Sequence, residues 1–507
     1  MWYVNLARLL PSVKPPDKRL TLKEKLKWTL AVLLIFYAMS SVVVYGVSRS
    51  SHAFTFYEVI LGAKIGTLMT LGIGPIVLAS IILQMLVGSK IIPWDLRKSE
   101  DRAKYNAAQK LLAIFFCFFE AATYTLTGVF IVPESHSLIP LIILQLAIGG
   151  IVVIYLDEIV SKWGIGSGIS LFIAAGISKR IIQRIFFPPF EGGEGLIFEI
   201  FSSLSQGMLF KAFFATLPII ATILIFAIAI YTQGIRVEFD ITFQTPFGRV
   251  VTRKWPLRFF YTSNIPVILA VALINNFVLL GKIAGINGYS FIATLDREGH
   301  ITGGIVYWLF MPPRNMLLSL CTLSALAVSI ATAIIVASKV KRYVVRASIV
   351  AGIAGFAATY LLINVIYPAI ESEGITLVLM PEDVVRALLY IIVLTIFSTV
   401  FSIFWVNTAG MDPKSIAEQF KIAALTLPGF RRDPRVIEKR LEKYIHPLAI
   451  VGGAFVGFLA GVAGITNALG TGTGILLTAM ILMQFYELIM AQHIEDMHPG
   501  IREFFQK

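Results

Sequence analysis

The sequence predicts an all-α polytopic membrane protein, and three observations carry that reading. The chain has 507 residues, of which 57% are hydrophobic and only 14% charged, against about a quarter charged in soluble domains. Its mean hydropathy is +0.80. Its apolar residues are gathered into many runs long enough to cross a bilayer, since a hydrocarbon core of roughly 30 Å takes about 20 residues of helix.

Spans are predicted in order at 28–47, 69–90, 110–131, 138–157, 168–187, 212–233, 259–280, 315–338, 347–369, 385–407, 447–465 and 473–492. Before the first lies a basic segment interrupted by Pro11, Pro15 and Pro16. It has no early apolar core, so no cleavable signal peptide is expected. Lys and Arg mark cytoplasmic loops. With both termini cytoplasmic, most of the 43 Lys and Arg residues fall on the inner side. The inner loops include DLRKSEDRAKYNAAQK (Asp95–Lys110), the segment Ile235–Arg258, KVKRYVVR (Lys339–Arg346) and FRRDPRVIEKRLEKY (Phe430–Tyr444). One outer loop dissents, with Lys179, Arg180 and Arg184.

Two inner loops, 234–258 and 408–446, are long and basic. Long loops inside compact folds are usually functional or disordered. Two basic protrusions suit an anionic partner, either an RNA phosphate backbone or acidic lipid headgroups.

Enzymatic chemistry finds no foothold. The six histidines, His52, His136, His300, His446, His493 and His498, lie in loops or at helix ends. No H-E-x-x-H zinc site and no Walker glycine loop occurs. GIGSGIS (Gly164–Ser170) lacks the spacing of a serine nucleophile motif, and no histidine lies within a span to activate Ser167. Its small residues fit close helix packing instead. Cys117 and Cys321 both sit in apolar runs, as buried core residues do, and neither a disulfide framework nor a metal site is expected. No cofactor is implied.

Ionisable residues inside spans are functional candidates, because each costs roughly 2.5–3.5 kcal/mol at a helix centre. Glu120 is one such residue. Asp157 and Glu158 stand at a cytoplasmic helix end, where they are expected to be solvated. Neutral polar groups are more telling. Gln84 follows a Gly/Pro region, and Thr262, Ser263 and Asn264 precede Pro266. A helix running through Pro266 would free the carbonyl of Thr262, which only another helix or water could satisfy. Two readings stay open there: ordinary interhelical hydrogen bonding, or a seam weak enough to open.

The stretch GTLMTLGIGPIVLASIILQMLVG (Gly66–Gly88) is apolar enough to span yet carries glycines and Pro75. The stub before it, FTFYEVILGAK (Phe54–Lys64), is too short to cross, at about 1.5 Å per residue.

Five motifs in order then carry a family resemblance. They are GTLMTLGIGPIVLASIILQMLVGS, YLDEIVSKWGIGSGISLFIAAG, YTSNIPVIL, FWVNTAGMDPKSIA and ALGTGTGILL. Together they resemble the SecY protein-conducting channel in its archaeal and eukaryotic form, from about Leu22 to Leu280 and from about Ala387 to the C-terminus. The resemblance implies a ten-helix clamshell of two pseudo-symmetric halves that passes unfolded polypeptides across the membrane and releases apolar segments into lipid. The halves would be 28–190 and 211–492, flanked by a cytoplasmic segment 1–27 and a cytoplasmic tail 493–507.

Carried over by motif, the resemblance places a pore ring at Ile73, Val77, Ile169, Ile173, Ile268 and Leu477. It makes 54–65 a plug, with Phe54, Tyr57, Ile60 and Lys64, and assigns a lateral gate to Gln84, Asn264 and Glu120. Arg253, Lys254, Arg431 and Arg432 would dock a ribosome. Gly72 and Gly74 would bring backbone close to the waist, with Pro75 loosening the helix between Ile73 and Val77. The partners implied are the SecE/gamma and SecBeta subunits, the ribosome, nascent polypeptides and membrane lipid. The location implied is an archaeal plasma membrane.

One departure stands out. Two apolar runs, 315–338 and 347–369, lie where the family has a single external loop. An inserted hairpin of two spans would preserve topology. A secondary transporter with broken helices is the competing class, but it would need a charged midplane site, whereas the breaks here carry aliphatic residues.

Overall fold

The computed structural model describes residues 11–47, 66–88, 90–95, 98–126, 138–186, 195–244, 250–262, 265–286, 288–295, 301–309, 311–312, 315–339, 344–373, 379–422, 425–426, 434–470 and 472–496. The chain divides into two compact units. One holds Met1–Lys179, Asn407–Gly410 and Leu477–Lys507, and the other holds Arg180–Val406 and Met411–Leu476.

The first unit is built on α1 (Leu22–Met39), α2 (Gly74–Gly88), α3 (Ser99–Leu126), α4 (Ile139–Trp163) and the start of α5 (Gly168–Phe186). A capping box starts α1: the Glu24 amide donates to Thr21 Oγ1, and the Thr21 amide donates to the Glu24 carboxylate at 2.9 Å. The helix ends eight residues before the predicted end of its span. The run Val42–Val44 is β-branched, a side-chain class that favours extended backbone. Here Val44 N donates to Gly66 O at 2.9 Å and Leu68 N to Val42 O at 3.0 Å.

Residues 66–73 are not helical, although 69–73 are predicted as the head of a span at 69–90. They form successive turns, with Thr70 N donating to Thr67 O and Gly72 N to Met69 O, and Gly72 at φ +51°. Met69 and Leu71 are fully buried. Irregular backbone at membrane depth is tolerated only where protein covers it, and α4 covers it closely. A Cβ on Gly149 would lie 2.0 Å from Leu68 O, so only glycine fits there. The core beneath contains Phe36 stacked on Phe172, ring centroids 4.7 Å apart, with Ile142 and Leu146 fully buried.

A strap without regular secondary structure lies across the body of α3 and the end of α4. Lys110 Nζ donates to Pro11 O at 2.7 Å, Lys162 Nζ to Val13 O, and Trp163 Nε1 to Lys14 O at 2.8 Å. Both lysines also pair with Glu158, at 3.1 and 2.6 Å. Glu158 is therefore the hub of this contact, and the expectation of a solvated carboxylate is corrected.

The second unit opens with α6 (Leu196–Ser205), a short apolar helix with no counterpart among the predicted elements, and α7 (Leu209–Gln233). The basic loop at 234–258 is a hairpin, β1 (Arg236–Gln244) and β2 (Val250–Arg258), antiparallel from Arg236 opposite Arg258 to Gln244 opposite Val250. Then come α8 (Ile265–Ile286), the small pair β3 (Thr294–Leu295) and β4 (Ile301–Gly303), and α9 (Ile305–Leu309). The apolar runs of the predicted insertion form α10 (Met316–Lys339) and α11 (Val344–Glu371), packed along each other. After these come α12 (Pro381–Thr408), α13 (Pro413–Ile422), β5 (Leu425–Thr426), α14 (Pro434–Ile465) and α15 (Gly472–Asp496).

One face of the β1–β2 hairpin (Val237, Phe239, Ile241, Trp255, Leu257) packs on α13 and α14. Trp255 meets Phe420 edge-on at 5.0 Å, and Phe239 meets Tyr444 at 4.9 Å. Helix α14 begins 13 residues before its predicted span because Ile437, Leu441 and Ile445 recur at helical spacing and are buried in the same cluster. Against α14, α12 packs through small residues. Ser398 Oγ donates to Gly453 O at 2.8 Å and Ser402 Oγ to Ala449 O at 2.7 Å, the polar contacts that hold helices together in lipid.

Each of the twelve predicted spans falls on a helix. Among the described residues, α3, α4, α7, α10, α11, α12, α14 and α15 are long and apolar enough to cross a membrane unaided. Helix α2 has 15 residues, about 22 Å, and spans only together with the buried turns that precede it.

Candidate channel site

The aliphatic residues of the expected ring sit at the beginnings of helices. Ile73 is the residue before α2, and its carbonyl accepts the first helical bond, from Val77 N at 3.1 Å. Val77 is one turn on. Pro75 is the second residue of α2, where its missing N–H leaves no hydrogen bond unmade. It starts the helix and does not loosen one, which corrects the expectation. Pro266 is likewise the second residue of α8, so no helical bond to Thr262 is broken. The Thr262 hydroxyl is buried and bonded to Ser402 Oγ at 2.9 Å.

Ile169 and Ile173 are one turn apart at the start of α5 and share a face. With Val77 they pack against the buried cluster that contains Ile73. Leu477, in the part of α15 that belongs to the first unit, is buried as well. Ile268 stands in the first turn of α8, in the second unit.

The turn that leads into α5 is held by side chains from two other helices. Ile165 N donates to Thr29 Oγ1 at 3.1 Å, and Gly166 takes φ +70°. Asp157 Oδ1 accepts from Ile169 N at 2.9 Å. Asp157 is thus the N-terminal cap of α5, donated by α4. Its expected solvation is corrected: helix-end position suggested water, but the next helix folds back onto it.

The expected gate residues fare differently. Gln84 is half-buried on α2 and Glu120 half-buried on α3. Glu120 Oε2 is a buried oxygen with no hydrogen-bond partner among the described residues. Asn264 lies outside the described residues, as do Phe54, Tyr57, Ile60 and Lys64 of the expected plug. One turn before Gln84, Ser80 accepts a 2.6 Å hydrogen bond from Gln109 Nε2 on α3, a polar link that the sequence reading missed.

Of the expected docking residues, Arg431 and Arg432 lie outside the described residues. Arg253 is in β2 opposite Ile241, though its side chain is not described. Lys254 is exposed on the outer face of β2 and paired with Glu238 at 3.0 Å. That bond holds the Glu238 carboxyl below the usual carboxylate range and raises the lysine. The outer face of the hairpin is therefore mixed in charge, with Arg236, Arg258 and Lys254 beside Glu238 and Asp240.

The SecY family model matches residues 67–486. The chain belongs to the SecY family. It is 39% identical over 505 residues to the protein translocase subunit SecY of Methanocaldococcus jannaschii, covering 99% of both chains. It is 37% identical over 503 residues to that of Methanococcus vannielii, again covering 99% of both. Among solved structures it resembles one described as the structure of a protein conducting channel, at 37% identity and TM-score 0.71, covering 98% of this chain and 99% of that one. Sec61 in a canine ribosome–channel complex is similar at 37% identity and TM-score 0.68, covering 98% and 99%. The SecY fold makes this chain a multi-pass membrane protein.

Proposed function

We propose that this chain, the channel-forming subunit of a Sec translocon, passes polypeptide through a constriction lined by Ile73, Val77, Ile169, Ile173, Ile268 and Leu477. The observation that carries the residue assignment is the clustering of aliphatic side chains at helix starts. Ile73, Val77, Ile169 and Ile173 gather on one apolar cluster of the first unit, with no charge among them. A ring of branched aliphatic groups dewets a narrow pore. It offers a passing chain no binding site and seals behind it by van der Waals contact.

In this reading the chain is not an enzyme: it supplies a path, and a partner such as a translating ribosome supplies the energy. Residues 54–65 close the external side as a plug. Gln84, Glu120 and Asn264 line the seam through which an apolar segment reaches lipid. A buried carboxylate oxygen without a partner, such as Glu120 Oε2, suits a seam that is held weakly. Arg253, Lys254, Arg431 and Arg432 face the ribosome, with both termini cytoplasmic in the cell membrane and with SecE/gamma and SecBeta subunits alongside. Helices α10 and α11 are two added spans.

The test is crosslinking. Cysteine in place of Ile73 or Ile268 should form a disulfide with a cysteine in a polypeptide arrested during translocation. Silence at both sites, while flanking positions react, would remove them from the path.

A further inference from the structure

We propose that Asp157 is a positioning residue for the constriction: it sets the height and rotation of α5 and so aims Ile169 and Ile173. This rests on the ring assignment above and extends it to a residue that touches no translocating chain.

The argument begins with the free amides at a helix start. The first N–H groups of a helix have no partner within it, and they are usually met by a side chain just upstream in sequence. For α5 the carboxylate comes from another helix. Asp157 is on α4, 12 residues before Ile169, and its Oδ1 accepts from the amide of Ile169 itself at 2.9 Å. The first turn of α5 is thereby tied to α4 at the residue whose side chain is assigned to the ring.

Sterics point the same way independently. A Cβ on Gly168 would come within 2.6 Å of Asp157 Cα and 2.7 Å of Oδ1. Glycine lets α5 seat directly on α4 at this one level. The turn between the helices is tied from the other side by Thr29 of α1, through Ile165 N. Ile169 therefore has little rotational freedom, since its own amide is part of the clamp. Ile173 follows one turn later on the same face.

A carboxylate in this place is not explained by ion pairing. The neighbouring Glu158 takes both lysines, Lys110 and Lys162. Asp157 meets a backbone amide, where an asparagine Oδ1 could accept equally well. That equivalence supplies the test.

Cysteine is placed at Ile169, or separately at Ile73, in the full translocon complex carrying Asp157, Asp157→Ala or Asp157→Asn. Each complex is loaded with an arrested polypeptide containing one cysteine. With Asp157→Ala, crosslinking from position 169 should be lost or move to a neighbouring residue, while position 73 keeps its yield. Asp157→Asn should restore the pattern at 169. Resting channels should also leak ions with the alanine variant and not with the asparagine variant. An unchanged yield at 169 with Asp157→Ala overturns the proposal. So does an equal fall at 169 and 73, which would mean general disruption and not aiming. If position 169 is silent even with Asp157 intact while 73 reacts, the ring assignment of Ile169 is what fails, and the positioning role falls with it.

Discussion

Helices α4 and α5 follow one another and touch at one level, where Asp157 meets Gly168 and Ile169, while α10 and α11 pack along each other; the two pairs are held in opposite ways. The first is held from outside itself. Gly149 presses on the Leu68 carbonyl, Thr29 ties the connecting turn, and 44% of the apolar window of α4 is buried. The second is held mainly by its own seam. Ser329 Oγ donates to Ser348 O, Thr359 Oγ1 to Ser324 Oγ, and Gly352 lets the two helices close. Only 17% of each apolar window there is buried. Val345, Val350, Ile353, Leu361 and Val365 are all more than half exposed.

In lipid there is no hydrophobic drive between helices, so close packing and polar links decide what stays together. Where those links run to other elements, the helix pair must keep a fixed place in the channel. Where they run mostly inward, the pair is an attachment. The α10–α11 pair is fastened at its feet. Asn315 caps α10 through Leu317 N and approaches Asp383 at 3.4 Å, while Glu373 accepts from Phe210 N and Lys211 N at the start of α7.

The sharpest way to break the comparison is a matched pair of substitutions. Gly149→Leu should abolish the folded complex, because its Cβ would overlap a backbone carbonyl that cannot retreat; losses above about 4 kcal/mol come from such clashes. A Cβ on Gly352 would press on the Ser329 hydroxyl, a side chain that can turn away, with the Ala325 carbonyl at 3.4 Å. Gly352→Leu should cost about 1–3 kcal/mol and leave translocation intact. Thermal unfolding of the purified complex, with a translocation assay, reads both; equal damage from the two would end the distinction.

Next in size is Arg386, buried on α12 with its guanidinium 3.8 Å over the Tyr307 ring and its Nε donating to Tyr307 O at 3.2 Å. Arg386→Met should cost about 3 kcal/mol, the scale for removing one partner of a buried ionic group. The loss should appear as amide exchange in α9 and α12 before it appears in α4. Smaller again is Glu373→Ala, which uncaps α7 for roughly 1 kcal/mol. A shift of that size in α7, with α10 and α11 unaltered, would sharpen the idea that the hairpin steadies its neighbour only at a foot.

The smallest effect concerns pH. Bonding to Lys254 depresses the Glu238 carboxyl in the folded state, so its contribution is present above the unfolded carboxylate value. It is lost as pH falls through the lower, folded value. Both side chains are exposed, so salt screens the pair. Protection of the β1 and β2 amides, taken relative to the intrinsic exchange rate at each pH, should fall slightly in mild acid at low ionic strength, and high salt should erase the difference.

The helices were legible because hydropathy follows burial in lipid. The motifs singled out Ile73 and Ile169, and both stand at helix starts. What escaped was structure that hydropathy does not encode. Residues 66–73 read as the head of a span because turns buried in protein at membrane depth are as apolar as helix. Pro75 and Pro266 read as breaks, although proline at a helix start is unremarkable. RVEFDITFQ alternates polar and apolar residues without a fault, the period of a half-buried strand, and it was passed over as a basic loop. Asp157 stands out in the sequence as an ionisable residue at a helix end, but its capping role does not. Its role depends on α5 folding back onto α4, a contact that no local pattern announces.

The strap over α3 and α4 carries a different kind of consequence. Lys110, Lys162 and Trp163 grip it by the carbonyls of Pro11, Val13 and Lys14. A grip on main chain is blind to side-chain identity. The segment can therefore drift in sequence over evolutionary time while its anchorage persists, and the selective constraint falls on the three donors and on Glu158. Related chains that align poorly across these residues can still share the fastening, and it is to be sought in the middle of α3 and the end of α4.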